Sequence, residues 1–331
     1  MSDGSTGSVN KEKTLLSVVM INFRTANLVI DCLASLLPEL TGMKAKVVLV
    51  DNHSDDGSME QIEEWLIQNT HDDVVIPVRS KFNQGFAGGN NLGIIQIQAE
   101  YYLLLNSDTL IRPGAIKILM ESIGNHPRAG LVSPRLEWAD GSGQESCFKF
   151  HTPFSEMILS AQTGVVSRLL SRYIVAQPVQ ENMFQPEWTS FACVLVREAV
   201  FDQVGLLDSG YFMYFEDVEF CHRARQSGWE IVHDPRARVV HLRGGSSSVK
   251  RKTLQRKRLP RYFYESRTRF FYQRYGRLGL TAANLMWWLG RMVSRIRQTS
   301  GRKDKVAVEY QWRDIWINWW HPMKAYSIPG A

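Results

Sequence analysis

Three acids fall within four residues at Glu216, Asp217 and Glu219, directly after the aromatic run YFMYF of residues 211–215. Aromatic surroundings and a neighbouring acid both raise a carboxyl pKa, and a carboxylate titrating near neutrality suits a general base. The competing reading, a helix N-terminus whose acids match the dipole, leaves the bulky apolar lead-in unexplained. A second centre is Asp108, a lone carboxylate in the segment YYLLLNSDT, two residues past an apolar run and beside Asn106 and Ser107. Hard cations such as Mg2+ or Mn2+ take oxygen ligands, use few protein carboxylates and fill the rest with phosphate and water. His241 closes a further apolar run ahead of a Gly/Ser loop. A lone histidine is more often structural, so it joins a metal site only if its strand returns to Asp108.

Two more segments could grip a ligand. VDNHSDDGS puts Asp51 and Asn52 at the end of an apolar run, while Asp55 to Ser58 read as turn and cap residues. NQGFAGGNN sets Asn83, Gly85, Gly88 and Asn90 around one phenylalanine. Glycines admit a ligand close to the backbone, and free amides at a helix start favour phosphate. The segment is not GxGxxG and lacks the lysine of a P-loop, which counts against NAD and ATP.

The elements that must position these residues alternate. Apolar, β-branched runs at 15–22, 46–51, 74–78 and 101–106 read as strands. Helical patterns lie between them, with Leu28, Cys32 and Leu36 on one face, then residues 58–68 and 88–98, and a helix opened by Pro113. This rhythm predicts an α/β fold with a mainly parallel sheet covered on both faces. Ligands then bind beyond the carboxyl ends of the strands, where Asn22, Asp51 and Asp108 fall. A chain of 331 residues, 44% apolar, can bury a large core, which excludes disorder and small disulfide-stapled folds. Cys32, Cys147, Cys193 and Cys221 lie far apart with no CxxC pair, so a reducing compartment is expected and a zinc site is not. Residues 1–13 are a polar leader without the apolar region of a signal peptide, and no apolar run reaches 18 residues, so a cytoplasmic location is expected.

Taken in order, VVMINFRT, VDNHSDDGS, NQGFAGGNN, LLLNSDT, WTSFACVLVRE, FMYFEDVEFCHR and VVHLRGGSS resemble the inverting glycosyltransferases of family 2, closest to their rhamnosyltransferase-like branch. These pieces cover roughly residues 15–248. The resemblance implies the GT-A fold, a nucleotide-diphosphate sugar donor and a divalent metal, Mg2+ or Mn2+. It implies donor contacts from Asn22, Asp51, Asn52, Asn83, Gly85, Gly88, Asn90, Asn106 and Ser107, with Trp188 and Thr189 on the acceptor side. Asp108 stands at the metal-binding acid of the family's DxD motif, although Asn106 replaces the other acid, and His241 matches a further metal contact. Asp217 matches the catalytic base, with Glu216 as its neighbour. The donor implied is dTDP-L-rhamnose and the acceptor a lipid-linked or cell-envelope glycan. A UDP-dependent galactofuranosyl or N-acetylglucosaminyl transferase, or a catalytically silent nucleotide-sugar-binding scaffold, are the alternatives.

The charge divides the chain. Residues 250–305 hold 17 Lys and Arg against two acids, whereas residues 1–249 hold 20 against 29. A catalytic domain at 14–248 and a basic, Trp-rich helical extension at 249–331 are therefore expected. Residues 250–277 mix basic side chains with Tyr262, Phe263, Tyr264, Phe270, Phe271, Tyr272 and Tyr275. Beyond them Leu285, Leu289, Met292 and Ile296 form a stripe, with Arg277, Thr281, Asn284, Arg291 and Arg295 on the other side. Arginine and tryptophan about such a stripe point to an anionic membrane surface on the inner face of the cell membrane. A homodimer or an internal core competes with that reading, and nucleic acid is the least favoured partner.

Overall fold

A computed structural model describes residues 13–71, 73–242, 249–299 and 307–326. The first half alternates as the sequence predicts: β1 (Thr14–Asn22), α1 (Ala26–Leu36), β2 (Ala45–Asp51), α2 (Ser58–Gln68), β3 (Val75–Arg79), α3 (Gly85–Ile94) and β4 (Ala99–Asn106). Next come β5 (Thr109–Ile111), α4 (Ala115–Asn125), β6 (Ala129–Glu137), β7 (Cys147–Phe148), α5 (Pro153–Ala161), α6 (Gly164–Leu169) and β8 (Trp188–Thr189). β9 (Cys193–Arg197), α7 (Glu198–Val204), α8 (Glu216–Gln226) and β10 (Glu230–His241) follow, then α9 (Val249–Leu254), α10 (Arg261–Thr299) and α11 (Gln311–Asp314). The boundary expected near Ser248, the Gly/Ser loop and most of the leader lie outside the described residues.

One eight-stranded sheet runs β3-β2-β1-β4-β9-β6-β10-β5. β1, β2, β3 and β4 pair in parallel, as do β6 and β10, while β9 and β5 run against their neighbours. Register sets Asn22 beside Asp51, and Ile21 beside Asn106, so polar ends of three adjacent strands line up. β5 turns back directly after Asn106 and pairs Thr109 with His241, one residue from Asp108.

Successive strand residues face opposite layers. Val18 and Met20 pack with Leu33 of α1, Ile62 of α2 and Leu119 of α4. Val19 and Leu104 pack with Phe201 of α7, Phe220 of α8, and Phe270 and Phe271 of α10. The stretch from Tyr264 to Phe271 is thus interior where the sequence suggested a surface. Its arginines are accommodated by partners: Arg267 is buried and donates to Glu156 of α5 at 2.8 Å and to Asn284 Oδ1 at 2.8 Å. That network explains why Asn284, expected on an outward polar side, is buried; Arg291 is buried as well.

Gly276, at φ +65°, divides α10 into two helices. In the second, a Cβ on Gly290 would meet Ser160 Oγ at 2.1 Å and the Met157 carbonyl oxygen at 2.5 Å, so α5 crosses it in close contact. Residues 307–326 return along α10: Arg258 donates to Asp314 at 2.7 Å, Thr268 to the Ile317 carbonyl at 2.8 Å, and the Tyr326 hydroxyl to the Gln84 carbonyl at 3.2 Å. No helix among the described residues is long and apolar enough to cross a membrane.

Candidate active site

The strand ends, the glycine-rich turn and the start of α8 surround a cavity of about 660 Å3. Asn52, Asn83, Gly85, Asn90, Asn106, Ser107, Asp108, Trp188, Glu216, Asp217 and His241 line it. Asn22, Asp51, Gly88 and Thr189 do not. Asn22 Nδ2 donates to Asp51 Oδ1 at 2.9 Å and to Ser58 Oγ at 2.8 Å, and the Ser54 hydroxyl also bonds Asp51, so this network braces the cavity floor from behind. Thr189 donates to the Ser146 carbonyl at 3.1 Å, and Gly88 sits within α3 against Gln84.

Asn52 ties two turns together. Its Nδ2 donates to Asn83 Oδ1 at 3.0 Å and to the Gly85 carbonyl at 2.9 Å, and its Oδ1 accepts from the Gln84 N–H at 2.9 Å. Asn83 Oδ1 also accepts from the Gly85 N–H at 2.9 Å. That side-chain bond starts α3 three residues before the position the sequence predicts. Gly85 has φ +69°, and a Cβ there would lie 2.0 Å from the Phe212 carbonyl oxygen, so only glycine fits. The N–H of Phe86 donates to that same carbonyl at 2.6 Å, joining the glycine-rich turn to the aromatic run.

The aromatic run holds the carboxylates. Tyr214 and Phe215 have φ +72° and +69°, a left-handed pair directly before Glu216, the first residue of α8. Non-glycine residues in that region each cost about 1–3 kcal/mol and persist only where surroundings impose them. Here α10 imposes them: Phe215 packs 5.5 Å from Phe270 and 6.0 Å from Phe263, and Tyr214 lies 5.7 Å from Phe263. Burial pushes Asp217 up to about 7, although backbone N–H groups of Val218 and Phe191 draw it down. Burial, followed by the Asp217 charge, raises Glu216 well above the carboxylate range. Glu216 is buried, and its Oε2 has no hydrogen-bond partner among the described residues. Both shifts favour the protonated acid, so the pair titrates as coupled groups above the ordinary carboxylate range. The raised carboxyl pKa that the aromatic lead-in predicts is therefore present.

His241 Nε2 lies 3.4 Å from Asp108 Oδ1. The antiparallel return of β5 makes that approach, which meets the condition set for His241 from sequence. No group of three His, Cys, Asp or Glu side chains among the described residues forms a cluster able to hold a metal. One carboxylate and one imidazole nevertheless suit a hard cation that draws its other ligands from phosphate and water. The buried His241 Nδ1 has no partner among the described residues.

Sequence reasoning overlooked several residues of the wall. Arg24, whose Nε donates to the Ser54 carbonyl at 2.9 Å, brings a cation to the cavity. Phe148 stacks on Trp188 with centroids 4.2 Å apart. Tyr262 of α10 reaches the cavity beside Tyr214, their rings parallel within 5°. Tyr262 lay within the basic, aromatic run, whose composition gave no sign that it faced the strand ends.

The fold is of GT-A-like architecture. Residues 17–160 match glycosyl transferase family 2. A low-salt glycan biosynthesis hexosyltransferase of Haloferax volcanii is 28% identical over 221 residues, covering 65% of this chain and 63% of its own length. An N-acetylglucosaminyl-diphospho-decaprenol L-rhamnosyltransferase of Mycobacterium tuberculosis is 27% identical over 221 residues, covering 62% of this chain and 69% of its own. The match thus spans less than two thirds of the haloarchaeal relative. Among solved structures, a Pyrobaculum calidifontis mannosyltransferase in complex with GDP-mannose and Mn2+ superposes with a TM-score of 0.51 at 12% identity, covering 95% of this chain and 84% of that one.

Proposed function

We propose that this glycosyltransferase inverts the anomeric centre of its donor, taking L-rhamnose from dTDP-L-rhamnose to a lipid-linked or cell-envelope glycan at the inner face of the membrane. The observation that carries this reading is the Asp217 carboxylate, raised to about 7 on a cavity that also holds Asp108 and His241. Relatives with rhamnosyltransferase names support the sugar. Donor chemistry belongs to residues 14–248, with the α10 aromatics as part of the same working unit.

In this mechanism Asp217 accepts the proton of an acceptor hydroxyl. The freed oxygen bonds to the anomeric carbon as the bond from that carbon to the diphosphate breaks, and the electron pair leaves with the diphosphate. Glu216 keeps its own proton, leaving Asp217 as the carboxylate that ionises. Asn52, Asn83 and Gly85 hold the turn against which the donor rests, and Arg24 offers positive charge to its phosphates. Trp188, backed by Phe148, presents a flat face on the acceptor side. A divalent cation held by Asp108 and His241 would neutralise charge on the departing diphosphate.

Nucleoside diphosphate release from dTDP-L-rhamnose, UDP-galactofuranose and UDP-N-acetylglucosamine tests the reading. The dTDP sugar should be turned over fastest. Preference for a UDP sugar reassigns the donor, and no turnover of a bound donor, with acceptor extract supplied, favours a silent binding protein.

A further inference from the structure

The second half of α10 buries one side and leaves the opposite side apolar. Leu280, Ala283, Trp287 and Gly290 face inward, and α5 closes on that side. Outward, Leu278 is 87% exposed, and Leu285, Leu289, Met292 and Ile296 are between 41 and 64% exposed. Spacings of seven, four, three and four residues put these five on one narrow line of the helix, about 27 Å long at 1.5 Å per residue. A surface helix of a soluble protein carries polar residues on its outward side, and a contiguous exposed apolar face marks an interaction site.

Charge decides the occupant. Residues 277–299 contain no acid, and of their arginines Arg291 is buried while Arg277, Arg295 and Arg297 remain beside the line. A second copy laid along the line would bring these like charges together, whereas an anionic headgroup layer complements them. Tryptophans accompany the line: Trp312 is exposed and lies 6.3 Å from Trp288, and Trp320 is also exposed. Tryptophan favours the boundary between water and hydrocarbon.

We infer that the outward face of α10 from Leu278 to Ile296 docks on an anionic lipid bilayer. This deepens the reading of a lipid-linked acceptor by naming the surface that meets the bilayer. Because the helix that carries Tyr262 and the helix that carries the line pack into one core through Phe270, Phe271, Leu280 and Ala283, docking sets the cavity wall at a fixed place relative to the headgroups. The basic, aromatic first half of α10 takes no part, since its rings lie in the core.

Flotation of the full chain with vesicles tests the inference without donor or acceptor, so its failure leaves the chemical reading untouched. Binding to phosphatidylglycerol/phosphatidylethanolamine vesicles should exceed binding to phosphatidylcholine by at least about tenfold. Leu285→Glu with Met292→Glu should weaken it by more than about a hundredfold, because two apolar anchors become charges. Raised salt should release only part of the protein, since it screens arginines and leaves apolar burial in place. Ile296→Glu alone, near the helix end, serves if the double variant melts early. Binding that survives both variants overturns the inference. So does failure to bind vesicles, and a dimer in sedimentation that either variant dissolves would give the face to a second copy instead.

Discussion

Replacing Asp217 by Asn removes one carboxylate and keeps its shape. General base catalysis typically contributes 10²–10⁴-fold, which is about 3–5 kcal/mol of barrier. The variant should lose that factor in nucleoside diphosphate release while calorimetry shows donor binding nearly unchanged. The same substitution has a second effect of opposite sign. In the fold Asp217 rises from 3.8 to about 7. A carboxyl raised in the folded state supports stability below its unfolded pKa, and that support is lost as pH rises through the folded value. At pH 8 the wild-type protein therefore carries a cost of up to about 4 kcal/mol, of which cavity water leaves roughly half. The Asp217→Asn variant should melt about 2–5 °C higher at pH 8, with the gain fading towards pH 4. Wild-type turnover should fall about tenfold per pH unit below 7, where the base takes up its proton. Glu216→Gln, which mimics the neutral acid, should keep the rate within about tenfold. An Asp217→Asn protein retaining more than about a tenth of the wild-type rate, or melting lower at pH 8, would refute this reasoning.

Asp108→Ala should weaken Mn2+-dependent donor binding and His241→Ala should do so less; binding that ignores EDTA and both changes would remove the metal from this site. Gly85→Ala forces a Cβ against the Phe212 carbonyl at a left-handed φ, and chemical denaturation should show a loss of about 2–3 kcal/mol or more. Phe271→Ala should cost about 3–5 kcal/mol, and a chain ending near Ser248 should fail to fold; a cooperative melt of that fragment would contradict the shared core.

The strands of the first half were legible because buried parallel strands are short, β-branched runs bounded by turns. Asp108, Asp217 and His241 were legible because each polar residue follows an apolar run. What the chain order hid was long-range pairing. β9 enters the sheet between β4 and β6, and nothing local to residues 193–197 announces an antiparallel insertion. Asp51 was expected against the donor, but the Asn22 amide and Ser54 hydroxyl that bind it come from a neighbouring strand and the following loop. The α10 aromatics misled for a related reason: arginines beside tyrosines read as surface until Glu156 and Asn284 supply the buried partners that let Arg267 go inside.

The left-handed Tyr214–Phe215 pair has a consequence in time as well as in space. Synthesis delivers the donor turns and the two acids before it delivers Phe263 and Phe270. Until those rings arrive, nothing holds the turn in its costly conformation, and it is free to relax to ordinary backbone angles. The acids then lose their aim although every strand of the sheet has already been synthesised. Competence thus comes last, as the final large helix docks, and a nascent or nicked chain without those rings has neither its acids aimed nor its core closed.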